Sequence, residues 1–186
     1  LDIDTTDGAR VRATLFLPTV PLGPVTVLAS AVAVPQRYYR AFAIGLARSG
    51  RPTMTFDWRG MGESLQGSPA TFVGRLRDWG QRDAPAVIDF AARRFPDRPL
   101  DWIGHSFGAG FALALAPNGE RIHRHLGIAT PHAYWRDMAG LERYRIAALM
   151  RVFLPLTVKA LGYVPARLSG FGEDLPGGIA DRKSTR

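Results

Sequence analysis

With 186 residues, 46% of them hydrophobic, the chain can bury one sizeable core but not two, so one domain is expected. It has no cysteine, which excludes disulfides and thiolate metal sites, and no apolar leader follows Leu1, so a cytoplasmic protein is expected. The net charge of +8 is scattered singly, almost all of it as arginine, with Lys159 and Lys183 the only lysines; no basic run interleaves with aromatics, so no nucleic-acid partner is expected.

In chain order, residues 1–4 and 11–17 read as strands separated by Thr6-Asp7-Gly8, where Asp-Gly is a hairpin signal. The proline-rich stretch 18–24 ends the second strand. Residues 25–31 form a continuous, β-branched apolar run, the pattern of a strand buried on both faces. From Pro35 a helical period takes over, with Tyr38, Phe42, Gly45 and Leu46 on one face and Ser49-Gly50 as its stop. Another buried strand is expected over 52–56, followed by the glycine-dense loop Asp57-Trp58-Arg59-Gly60-Met61-Gly62-Glu63-Ser64. The stretch 65–77 is weakly patterned. Ala84, Val87, Ile88, Ala91, Ala92 and Phe95 then make a helical stripe, with Pro85 inside it or in its first turn.

Residues 100–112 carry the chemistry. Trp102 and Ile103 lead into Gly104-His105-Ser106-Phe107-Gly108, and a small-residue helical pattern runs from 109 to 116. Strand, sharp turn and helix around Gly-x-Ser-x-Gly are the arrangement of a nucleophile elbow. A serine forced into that bend has its hydroxyl pushed out at the carboxyl end of a sheet, at about 1–3 kcal/mol of backbone strain. Helix and strand nearly touch there, so Gly104 and Gly108 leave the room the bend needs. The Phe107 amide, at a helix N-terminus, is aimed at any oxyanion formed beside Ser106. Pro117-Asn118-Gly119 stops the helix and 125–130 reads as one more strand, ended by Pro131. Alternating strands and helices predict an α/β fold with a parallel sheet. Ligands bind such sheets at the carboxyl edge, where Ser106, the Asp57 loop and the 31–35 turn converge.

Asp7-Gly8, Val34-Pro35-Gln36-Arg37-Tyr38-Tyr39, the Asp57 to Ser64 loop, the Gly104 to Gly108 pentapeptide, Tyr134-Trp135-Arg136-Asp137 and Gly172-Glu173-Asp174-Leu175-Pro176 together resemble the α/β-hydrolase superfamily. The likeness is to its serine aminopeptidase-like and monoglyceride-lipase-like branch, within a group of uncharacterised bacterial predicted hydrolases, and covers nearly the whole chain. It implies the α/β-hydrolase fold, a mostly parallel sheet with helices on both faces. It also implies Ser106 as nucleophile and Phe107 as one oxyanion donor. The second donor falls to the turn after the third strand, Ala31 or Val32; many relatives place His-Gly where this chain has Ala29-Ser30. Asp57 and Arg59 are expected to brace their loop, which is also a candidate substrate contact. No metal or organic cofactor is implied, and the substrate is a small-molecule ester or amide. Serine rather than aspartate at the elbow argues against dehalogenase or epoxide-hydrolase chemistry.

A serine needs a general base, and the superfamily places its histidine after the last strand. His105 is expected to pack beside the turn; His123, His125 and His132 do not occupy the base's position. Asp137 stands where some relatives keep their acid, or else is a solvated residue of a lid. Residues 1–132 are read as the front of the hydrolase core and 133–180 as the beginning of a helical lid, for which contact with a membrane surface is a rival role. The segment 181–186 is read as a non-native tail. The chain is thus expected to be an inactive fragment lacking the last strands, the acid and the base. An acyltransferase using the same serine and a non-catalytic binding module are the alternatives.

Overall fold

A computed structural model describes residues 1–130, 135–170 and 172–180. Pro131, His132, Tyr134 and the segment 181–186 lie outside them.

The hairpin forms as the pattern predicts: β1 (Asp2–Asp4) pairs antiparallel with β2 (Arg10–Phe16), and Thr5 and Ala9 close the turn through a 2.9 Å backbone bond. The apolar runs become β3 (Val25–Ala29) and β4 (Thr53–Phe56), every residue of both buried. A single-turn 3₁₀ segment, Gln36–Tyr39, leads into α1 (Arg40–Arg48) between them. With β5 (Leu100–His105) and β6 (Ile122–Ile128) the sheet has the order β1-β2-β4-β3-β5-β6, parallel from β4 to β6.

Because strand side chains alternate, this sheet has two buried faces. Val27, Ala29, Met54, Phe56 and Trp102 join one core cluster with Val87, Ile88 and Ala91. The alternate positions Thr26, Leu28, Thr53 and Thr55 are buried as well, and α1 contributes Ala43 and Ala47. The protein therefore has the α/β architecture with a mostly parallel sheet that its sequence pattern predicts, helices packing on both faces of the central strands.

Several boundaries differ from the sequence expectation. The helix read from Ala84 starts earlier: α2 (Leu76–Asp78) passes through a π turn, Trp79–Asp83, into α3 (Ala84–Arg94), so Pro85 lies within a continuous helical path. The later apolar stretch repeats the device, with α5 (Glu142–Ala148), a π turn at Leu149–Phe153 and α6 (Leu154–Leu161) carrying Pro155. Proline lacks the N–H for the i−4 carbonyl and its ring crowds that carbonyl, and a widened turn just before it relieves both. The helix after the elbow is shorter than 109–116, α4 (Phe111–Ala114), because Gly110 is not helical (φ −131°) and Pro117 follows. The stretch 133–180 is not purely helical either. Beyond a left-handed Gly162, β7 (Tyr163–Val164) pairs with β8 (Leu175–Pro176), and α7 (Gly177–Ala180) ends the described chain. No helix among the described residues is long and apolar enough to cross a membrane.

Candidate active site

The site is built on the carboxyl ends of β3, β4 and β5. At the end of β5 the backbone leaves an extended His105 and enters a left-handed Ser106, φ +54°. A 3₁₀ turn, Ser106–Gly108, follows at once. Left-handed backbone is costly for a residue with a Cβ, about 1–3 kcal/mol, and survives only where the surroundings impose it. They do so here. A Cβ on Gly104 would overlap the Gly108 carbonyl, and one on Gly108 would lie 2.6 Å from the Ala29 oxygen and 2.7 Å from that of Ser30. Trp102 Nε1 donates to the Gly108 carbonyl at 2.8 Å, tying the turn to its own strand. The Phe107 ring is buried edge-on to Trp58 and Trp79 and stacked on Phe111, which fixes the peptide carrying its amide.

The turn after β3 faces the elbow. Ala33 is left-handed as well, φ +62°. The Ala31 N–H, one of the two expected oxyanion donors, is already engaged: it donates to Tyr39 Oη at 3.1 Å. The Val32 N–H has no acceptor among the described residues. Tyr39 Oη also lies 2.8 Å from His105 Nδ1, so the imidazole beside the serine is held by a phenol.

Asp57 and Arg59 turn inward, so they brace their loop rather than offer side chains to a ligand. Asp57 is 1% exposed and accepts from the Gln36 and Glu63 amides at 2.7 and 3.0 Å; burial raises its pKa. Arg59 bridges Asp83 and Asp7, both at 2.7 Å. Burial pushes the Asp83 carboxyl up to about 7, whereas the Arg59 bond holds Asp7 well below the usual carboxylate range. Trp79 Nε1 donates to the Arg59 carbonyl at 3.0 Å, and Trp58 stacks on Trp79.

The far end of the chain returns to this edge. Glu173 donates its N–H to the Ala33 carbonyl at 2.7 Å, accepts from Gly62 N at 2.9 Å, and pairs with Arg37 at 2.6 Å. Neither this strap, nor Tyr39, nor the burial of Asp83 was read as part of the site from sequence. The quoted Gln36 to Tyr39 and Gly172 to Pro176 stretches were the only signal for the first two.

No imidazole is hydrogen-bonded to Ser106 among the described residues. His123 lies near the amino end of β6, 3.8 Å from Asp101, and His125 pairs in register with Trp102. His132 is outside the described residues, and Asp137 ends a 3₁₀ turn, Trp135–Asp137, before α5.

A left-handed serine between strand and helix, on a sheet of this strand order, defines a class. A family model described as alpha/beta hydrolase fold matches residues 31–158, and the chain belongs to that family. Among solved structures it is similar to DcsB in complex with its substrate analogue (TM-score 0.62, 17% identity, 91% of this chain and 53% of that one). It is also similar to a soluble variant of monoglyceride lipase from Saccharomyces cerevisiae (0.58, 17%, 85% and 51%). A third is a thermostable carboxyl esterase from Bacillus coagulans (0.58, 16%, 92% and 54%). The chain spans about half the length of each of these three. No curated protein matches it.

Proposed function

We propose that this chain carries the nucleophile half of a serine hydrolase that cleaves a carboxylic ester or amide of a small molecule. Ser106 Oγ gives its proton to a base and attacks the carbonyl carbon, and the oxyanion is held by the Phe107 amide and the turn after β3. The scissile C–O or C–N bond then breaks, the alcohol or amine leaves with a proton, and water hydrolyses the acyl-enzyme to the acid and free Ser106. The observation that supports this reading is the left-handed Ser106, kept in a strained bend by backbone contacts on both flanks. Residues 1–132 form the core in this reading and 133–180 a lid over its edge. No cofactor enters the reaction.

Among the described residues no imidazole is hydrogen-bonded to Ser106, so the test of this reading supplies a base from solution. Loss of the base costs on the order of 10⁶ in turnover in a well-studied protease, and donors and binding alone leave roughly 10³–10⁴ over water. The test is reaction with a fluorophosphonate, imidazole being added as external base, followed by peptide mass mapping. An adduct on Ser106, absent in Ser106→Ala, is expected. Equal modification of unrelated serines, with none at Ser106, would sink the reading.

A further inference from the structure

Two amides in the turn after β3 are candidates for the second oxyanion donor, and they are not equivalent. The Ala31 N–H is spent on Tyr39 Oη at 3.1 Å, whereas the Val32 N–H meets no acceptor among the described residues. Tyr39 comes from the 3₁₀ segment that opens the following helix, eight residues along the chain from Ala31. Its hydroxyl spans the gap to the other half of the site, 2.8 Å from Nδ1 of the histidine that precedes Ser106. A phenol oxygen that accepts from an amide still has its own proton to give, and His105 Nδ1, in the tautomer that leaves that nitrogen unprotonated, is the acceptor within reach. The result is a chain of bonds from Ala31 N–H through Tyr39 O–H to His105, joining the turn after β3 to the elbow across the mouth of the sheet.

We propose that Tyr39 is a positioning residue for the oxyanion hole. It takes up the Ala31 amide, sets the turn at a fixed distance from the elbow, and leaves Val32 N–H beside Phe107 N–H as the pair that receives the developing charge. The left-handed Ala33 next to Val32 is held from the other side by Glu173 N–H on its carbonyl at 2.7 Å, so the Val32 peptide sits between two anchors. Burial raises the Tyr39 pKa, which keeps the hydroxyl protonated and able to donate. The functional part of this proposal rests on Ser106 being the nucleophile.

Amide hydrogen exchange in the 186-residue chain tests the clamp without any turnover. Ala31 should exchange slowly and Val32 rapidly, and Tyr39→Phe should speed Ala31 at least about tenfold while the amides of β3 and β5 keep their protection. Equal exchange of Ala31 and Val32 in the unaltered chain overturns the proposal, with no variant needed. The second arm follows the hydrolysis of p-nitrophenyl acetate, an activated ester whose turnover at a fixed concentration of imidazole reads the oxyanion donors. Tyr39→Phe should lower kcat about tenfold with KM unchanged, since a misplaced donor weakens the transition state and not the ground state. An unchanged or faster kcat overturns the positioning role, the faster case meaning that Tyr39 plugs the hole. If Ser106 takes no fluorophosphonate adduct, the nucleophile reading fails while the exchange arm still decides whether Tyr39 holds the turn.

Discussion

The two margins of the parallel sheet are finished to different degrees. On the β4 side the buried polar groups have partners inside the protein: Asp57 has two amides, Arg59 two carboxylates, and both indole N–H groups of the Trp58–Trp79 stack reach carbonyls. On the β6 side the strand bonds, among the described residues, to β5 alone, and Leu126 and Ile128 are 54% and 44% exposed. The later helical stretch, 142–161, likewise leaves Val152, Phe153 and Leu156 exposed. One sheet thus ends in a braced loop where two layers close on β4 and in an exposed strand of mixed polarity at β6.

Substitutions can break or sharpen this contrast. The largest effect is expected from Trp58→Ala, which opens a cavity beneath both the Asp57 loop and Phe107; a loss of about 3–5 kcal/mol should be read from urea unfolding. Gly108→Ala comes next. Its added methyl meets the backbone carbonyls of Ala29, the last residue of β3, and of Ser30 just after it, so about 1–3 kcal/mol should be lost together with any reactivity of Ser106.

The buried Asp83 gives a pH signature. Its folded pKa, about 7, lies above the ordinary unfolded value of about 3.9, so its contribution is complete below the latter and is lost as pH rises through the former. Unfolding midpoints should therefore fall from about pH 4 to about pH 7 and level off above it, and the slope should flatten in Asp83→Asn. Asp7 works in the opposite sense, supporting the fold above its unfolded value and failing as the solution is acidified below it. The smallest effect belongs to the other margin: Leu126→Ser should change stability by less than about 0.5 kcal/mol and reduce self-association in light scattering.

Periodicity and turn chemistry made much of this molecule legible. The strands at 2–4, 10–16, 25–29, 53–56 and 100–105 lie within or close to the runs read for them: the first two flank an Asp-Gly turn and alternate buried with exposed residues, and the inner ones are buried on both faces and lack that alternation. The bend at Ser106 was legible because two glycines and a serine at fixed spacing answer a steric demand that few other residues meet. The helical path was read too short around Pro85, since proline signals a break and the π turn that absorbs it has no pattern of its own.

Sequence alone settled the fold class and the bend, both of which depend on neighbours within a few residues: alternation, punctuation and side-chain bulk. Tertiary structure alone decided which amide of the 31–32 pair is free, that Asp83 lies buried against Arg59, and that Glu173 returns to hold Ala33. Each of these is a partnership between residues whose spacing carries no period. Such pairs are chosen by whichever polar groups the packed layers bring within bonding reach and deny to water.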